Sequence, residues 1–290
     1  MFRPSKEAVL LSSFIFRHLS FKMSKKTAAS LTDEQLQEMA ERLYQAEATR
    51  TPIDPLTDAY PAMSVDEATQ IQLAVTEIKV SKGARVVGRK GGFFSKAMQV
   101  QMSIDQPDWG QLVDTMICNN GDTLRLSDFI HPKVEPELAF VLDAELRGPG
   151  VTAAAVLKAT KFILPALEVI DSRFKNFKFR LADVIADNAS VGRVVLGSKP
   201  VSPSEIDLRL IGMVMERNGE LFSTAAGAAV MGTPAGAIAY LANKLCHFDV
   251  SFKAGEIIIP SALSAAADIS AGDHICATFD HLGAVSVKFQ

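Results

Sequence analysis

Cysteine is scarce and scattered in this chain. The 290 residues hold three, Cys118, Cys246 and Cys276. None forms a CxxC pair, which excludes a disulfide framework or a zinc knuckle and suits a reducing compartment. Basic charge is not in excess either: 30 Lys and Arg stand against 33 Asp and Glu, and the pI near 6.0 argues against a nucleic-acid binder. GxSxG, Walker A and GxGxxG are all missing, so nucleophile-elbow hydrolase, P-loop and dinucleotide-fold readings have no support. In residues 1–23 the apolar runs Val9-Leu10-Leu11 and Phe14-Ile15-Phe16 lie among Arg3, Lys6, Arg17 and Lys22. They are too short to span a bilayer and lack the length and clear cleavage site of a secretory signal. A transit peptide is one reading of them. An upstream extension with Met23 as the true start is the one we expect, with residues 1–29 a poorly ordered leader and a cytoplasmic location.

What is present is ordinary for a folded enzyme, with 48% apolar and 22% charged residues. From residue 30 the sequence reads as an amphipathic helix with Leu36, Met39, Ala40 and Leu43 on one face and Thr32 as N-cap. A second helix starts at Ser64 with Glu67 in capping-box spacing and runs to Ser81. Arg85-Val86-Val87-Gly88 then opens a strand that Gly91-Gly92 breaks, and a two-turn helix is expected over 95–102. Beyond residue 111 the texture changes to short apolar runs at Glu137–Leu142, Val191–Leu196, Leu208–Met215, Glu256–Ile259, Ile275–Phe279 and Val285–Phe289. Helices near 152–161 and 234–246 interrupt them. The expected architecture is α+β: a helical N-terminal region over 30–83 and a β-rich core over 84–290, folded as a mixed, mainly antiparallel barrel or roll.

Chemistry concentrates in two stretches. In V-E-P-E-L-A-F-V-L (134–142), Glu135 and Glu137 are two apart, so a strand points both to one face. In I-L-P-A-L-E-V-I-D-S-R (163–173), Glu168 stands inside an apolar run, where an acid is rarely buried without a partner. The first pair alone also fits a solvated sheet face. All three together fit a hard divalent cation, Mg²⁺ or Mn²⁺ rather than zinc.

Lys90, in V-V-G-R-K-G-G, is either a solvated strand end or a proton donor or anion clamp that flanking glycines bring close to a ligand. Asp108, before the only tryptophan, has the look of turn chemistry. The run 182–192 sets Asp187, Asn188 and Ser190 among small residues, as a capped helix start or a polar shelf lining a pocket. Arg173 is placed either to clamp an anionic substrate or to pair with Asp171 or a surface acid. His131 reads as structural.

These segments taken together, G-R-K-G-G, D-Q-P-D-W-G, H-P-K-V-E-P-E-L-A-F-V-L, P-A-L-E-V-I-D-S-R, A-D-N-A-S and G-A-V-S-V-K-F, resemble the fumarylacetoacetate hydrolase superfamily over residues 30–290. The branch they resemble holds 4-oxalocrotonate (2-oxo-3-hexenedioate) decarboxylases and 2-hydroxypenta-2,4-dienoate hydratases. The resemblance implies a mixed β-roll core like that of fumarylacetoacetase's C-terminal part, with a helical N-terminal cap. It implies Glu135, Glu137 and Glu168 as ligands of Mg²⁺ (or Mn²⁺), with no organic cofactor. Lys90 and Asp108 would be catalytic, and Arg173, Asn188 and Ser190 would bind substrate. It further implies a small 2-oxo acid substrate, a homo-oligomer, and a complex with the hydratase of the same aromatic-catabolic pathway.

Segments 171–179 and 260–266 side with the decarboxylases, whereas D-Q-P-D-W-G sides with the hydratases. Gly91-Gly92-Phe93-Phe94-Ser95 departs from both groups, which carry a Thr hydroxyl there. The expected reaction is metal-dependent decarboxylation of 2-oxohex-3-enedioate to 2-hydroxypenta-2,4-dienoate and CO₂. The alternative is hydration of that dienoate.

Overall fold

Ser64 begins the second helix as its sequence requires. Its side chain accepts from the Glu67 backbone N–H, and the Glu67 carboxylate accepts from the Ser64 N–H at 2.8 Å, both halves of a capping box. The computed structural model describes residues 31–94 and 106–290. The chain divides into Met1–Thr32 and Asp33–Gln290, and the fold described is that of the second unit. The leader and the helix expected over 95–102 fall outside the described residues.

Among the described residues the helices are α1 (Asp33–Thr49), α2 (Leu56–Ala59), α3 (Val65–Ser81), α4 (Ala153–Ala159), α5 (Leu181–Ala186) and α6 (Pro234–Leu245). None is long and apolar enough to cross a membrane. Leu36, Met39, Ala40 and Leu43 of α1 are buried, and that stripe packs on α3. In turn α3 packs on α5. Buried Gln72 locks it to the core, its amide donating to the Trp109 carbonyl at 2.6 Å and the Ile185 carbonyl at 2.8 Å.

Two sheets form the core. The strands are β1 (Val86–Gly92), β2 (Asp108–Val113), β3 (Ile117–Asn119), β4 (Thr123–Leu124), β5 (Lys133–Leu142), β6 (Thr160–Ile170), β7 (Val191–Leu196), β8 (Gly212–Arg217), β9 (Glu220–Ala226), β10 (Ile257–Ile259), β11 (Ala267–Asp268), β12 (His274–Phe279) and β13 (Gly283–Phe289). The larger sheet runs β2-β1-β10-β5-β6-β7-β3, with β11 also paired to β5. The smaller runs β4-β13-β12-β8-β9. Pairing is mostly antiparallel, with parallel pairs at β1–β10, β3–β7 and β4–β13. The smaller sheet packs through β12 and β13 on β6. It does so with alternate buried residues, Ile275, Ala277 and Phe279 on one strand and Val285, Val287 and Phe289 on the other.

Three local expectations need correction. Gly91-Gly92 does not end β1: the strand runs through both, pairing with Trp109 and Asp108 of β2. Their lack of side chains is what permits it, because a Cβ on Gly92 would lie 2.2 Å from Asp108 Oδ1. The run expected at Leu208–Met215 becomes a strand only from Gly212, since Leu210 and Ile211 turn back with their N–H groups on the Asp207 carbonyl. Asp108, read as turn chemistry, instead opens the buried edge strand β2.

Candidate active site

The longest pairing in the fold builds the site. In β5 and β6, Glu135 lies directly opposite Glu168, and Glu137 opposite Ala166. Opposed residues of an antiparallel pair share a face, and so do residues two apart. The register therefore delivers three carboxylates to one spot, with a ligand oxygen from each within 4.8 Å of the others. Glu137 and Glu168 have no exposed surface, and none of their four carboxylate oxygens has a hydrogen-bond partner. Four buried acceptors without donors would be costly in a finished structure. Burial, reinforced by the charge of Glu168, pushes Glu135 up to about 8 and Glu137 well above the usual carboxylate range. An all-oxygen donor set of this charge fits a hard divalent cation that would satisfy all three at once.

Lys90 reaches this cluster from β1. Its Nζ is 3.2 Å from Glu168 Oε1, an ion pair without hydrogen-bond alignment, and donates to the Ala189 carbonyl at 3.0 Å. Burial pulls the lysine's pKa down, but Glu168, Asp108, Glu137 and Glu135 outweigh it and hold the ammonium above its ordinary value. Asp108 pairs with Gly92 across β1 and β2, two residues along from the Lys90–Gly110 pair, so both side chains share a face. Its Oδ1 is buried without a partner, and burial raises its carboxyl to about 6 against the opposing charge of Lys90.

The segment after α5 closes the site. Asn188, Ala189 and Ser190 all have left-handed backbone, with φ of 54°, 51° and 58°. Outside glycine this costs on the order of 1–2 kcal/mol per residue, so neighbouring contacts must hold it. The Asn188 side chain does so by acting as a strand neighbour to the edge of β2. Its Oδ1 accepts from the Gln111 N–H at 2.7 Å, and its Nδ2 donates to the Gln111 carbonyl at 2.8 Å. Close approach requires Gly110, where a Cβ would meet the Asn188 carbonyl oxygen at 2.5 Å. Replacing Gly110 by Ala is expected to cost about 1–3 kcal/mol, read as a Tm lowered by several degrees; an unchanged Tm would show that the turn yields freely.

The three residues expected to bind substrate are otherwise employed. Arg173 is 3% exposed. It donates to Asp187 through Nε, to the Asp187 carbonyl through Nη2, and through Nη1 to the carbonyls of Asp171 at 2.8 Å and Val191 at 3.0 Å. Four of its five N–H groups thus have acceptors within the chain, and its carboxylate partner is Asp187 rather than Asp171 or a surface acid. The carboxylate of Asp171 instead accepts from the Ile130 and His131 backbone N–H groups. Asn188 spends its amide on Gln111, and Ser190 donates its hydroxyl to Asp187 at 3.1 Å. The side chains of Asp187, Asn188 and Ser190 thus tie this turn to β2 and Arg173. Missing from the sequence reading were the Ala189 carbonyl, which no side chain announces, and the structural part of Asp187, which burial raises to about 6 against the opposing charge of Arg173.

A two-sheet roll that gathers three carboxylates, a buried lysine and an orphaned aspartate at one point defines an enzyme core with an oxygen-donor cation site. The family described as Fumarylacetoacetate (FAA) hydrolase C-terminal matches residues 85–290. The 2-keto-4-pentenoate hydratase of Paraburkholderia xenovorans (strain LB400) is 41% identical over 260 residues, spanning 90% of this chain and 97% of the relative. The 4-oxalocrotonate decarboxylase of Pseudomonas sp. (strain CF600) is 40% identical over 260 residues, spanning 90% and 98%. The solved 4-oxalocrotonate decarboxylase from Pseudomonas putida G7, complexed with magnesium and adipate, superposes with a TM-score of 0.88 at 38% identity, over 90% of this chain and 99% of that one. The chain belongs to the fumarylacetoacetate hydrolase family.

Proposed function

We propose that this chain decarboxylates 2-oxohex-3-enedioate (4-oxalocrotonate) to 2-hydroxypenta-2,4-dienoate and CO₂, with a divalent cation, in the meta-cleavage route of aromatic catabolism. The observation that carries the reading is the Glu135–Glu137–Glu168 cluster, with Glu137 and Glu168 buried and their oxygens without hydrogen-bond partners, and the Lys90 ammonium beside it. The solved relative's complex with magnesium and adipate, a six-carbon dicarboxylate, supports both the cation and the substrate class.

Glu135, Glu137 and Glu168 would hold the cation, Mg²⁺ or Mn²⁺, which when bound supplies Lewis-acid stabilisation of the enolate charge that builds as CO₂ leaves. Lys90, kept charged by four carboxylates, attracts the anionic substrate and stabilises negative charge as it moves through the conjugated chain. Asp108, with its carboxyl raised to about 6, gains and loses a proton near neutral pH and serves the protonation that completes the reaction. Burial of both groups keeps bulk water from screening them.

The second reading is hydration of 2-hydroxypenta-2,4-dienoate at the same centre. Asp108 favours it: a buried carboxyl near 6 with a free oxygen is suited to handling a water proton, and hydratases are among the relatives. Supplying fresh 4-oxalocrotonate with Mg²⁺ or with EDTA, and following ultraviolet absorbance and CO₂, separates the two. Metal-dependent CO₂ release is the expected result. No CO₂, with metal-dependent consumption of supplied dienoate, would overturn the decarboxylase in favour of the hydratase.

The chain also belongs, in this reading, to a homo-oligomer that associates with the pathway hydratase. The exposed apolar residues Val214 on β8 and Leu221 and Phe222 on the sheet-edge strand β9 support a protein partner there.

A further inference from the structure

Arg173 and Asp187 form a buried ion pair, 3% and 1% exposed. A buried pair is weak evidence for stability by itself, and this one has a specific load. Besides Arg173, the carboxylate of Asp187 accepts from the Ser172 hydroxyl at 3.3 Å, the Arg173 N–H at 3.1 Å and the Ser190 hydroxyl at 3.1 Å. The Arg173 fork meanwhile holds the carbonyls of Asp187 and Val191. The two residues thus grip both ends of the left-handed turn Asn188–Ser190, and Asn188 pins its near side to β2. The turn's middle carbonyl, Ala189, is the hydrogen-bond acceptor of Lys90.

We propose that Arg173 and Asp187 are positioning residues, which hold the turn in its left-handed form so that the Ala189 carbonyl fixes the Lys90 ammonium beside Glu168. A lysine side chain has four rotatable bonds, and its ammonium has no preferred direction of its own. A carbonyl fixed in place supplies that direction at no cost in charge. This rests on the reading above that Lys90 takes part in the reaction.

The test uses the full chain with Asp187→Asn, and with the milder Ser190→Ala in case the first fails to fold. The measurements are kcat and KM at saturating Mn²⁺, Mn²⁺ affinity by calorimetry, and the rate of Lys90 acylation by an amine-reactive ester, read by peptide mass spectrometry below Tm. Expected are unchanged Mn²⁺ affinity, little change in KM, kcat lower by roughly 10²-fold for Asp187→Asn, and Lys90 labelled several-fold faster. A purely structural role would lower Tm yet leave the labelling rate and kcat of the folded protein alone, and either result unchanged overturns the proposal. Should the parent chain turn over neither substrate, the proposed function falls, and the labelling rate alone decides whether the turn holds the lysine.

Discussion

Stripped of its cation with EDTA, the protein is expected to lose stability as the pH rises from about 6.5 to 8. With the cation bound, that loss should disappear. Glu135 holds its proton in the folded state up to about 8, and Glu137 well above the usual carboxylate range, whereas both release it in the unfolded chain near the ordinary glutamate value. Between those limits the folded form binds more protons than the unfolded one, so unfolding becomes easier with each step up in pH. The associated stability is fully present below the unfolded pKa and lost through the folded one. Asp108 and Asp187, raised to about 6, add the same slope at lower pH. His131, lowered chiefly by burial, opposes it below about 6.5. The window from 6.5 to 8 therefore belongs to the glutamates.

A loss of a few kcal/mol there corresponds to a Tm lower by roughly 5–15 °C for a chain of this size. Cation at about 100 times its Kd returns about 2.7 kcal/mol, with the largest gain at the highest pH, where it no longer competes with protons. Glu137→Gln should flatten the slope, raise the Tm of the stripped protein at pH 8, and abolish both stabilisation by cation and turnover. Thermal melts at a series of pH values, with EDTA or Mg²⁺, decide it. A flat profile in EDTA would mean that the three carboxylates do not strain the empty site, and full turnover by the Gln variant would remove them from the reaction.

Lys90→Ala is expected to lower kcat by roughly 10²–10⁴-fold at saturating cation, the usual contribution of a positioned acid or charge. Its signature against a structural role lies in the cation. The ammonium sits 3.2 Å from Glu168 Oε1 and competes with a divalent ion for that carboxylate. Removing it should leave cation binding intact or tighter while catalysis fails. The stripped variant should also be less stable than the parent, because buried Glu168 has lost its ion-pair partner, and cation should restore it. Titration with Mn²⁺ beside steady-state kinetics reads both. Unchanged kcat would reduce Lys90 to a counter-ion for the empty cluster.

How far the site was legible in sequence varied with the range of the interaction. Glu135 and Glu137 are two apart, and two is the period of a strand, so their shared direction needed no tertiary knowledge. The α3 capping box was equally local. Glu168 was recognisable as an acid in apolar company, but its strand was not: Pro136 and Pro165 lie within β5 and β6, and proline argues against a central strand when the pairing is unknown. Gly91 and Gly92 misled for a related reason. Glycine marks a break when read along the chain, yet here it marks the close approach of β1 to Asp108.

The sequence by itself therefore determined the kind of chemistry: carboxylates for a hard cation, a lysine among glycines, and short strands beneath a helical region, all set by residue type and local period. Only the tertiary structure decided the geometry. The β5–β6 register put Glu168 opposite Glu135, since register is set by the packing of both faces and not by either strand alone. It also paired Arg173 with Asp187. A buried guanidinium needs acceptors for its planar fork, which carbonyls and a carboxylate supply here, and no spacing along the chain reveals which partners burial will supply.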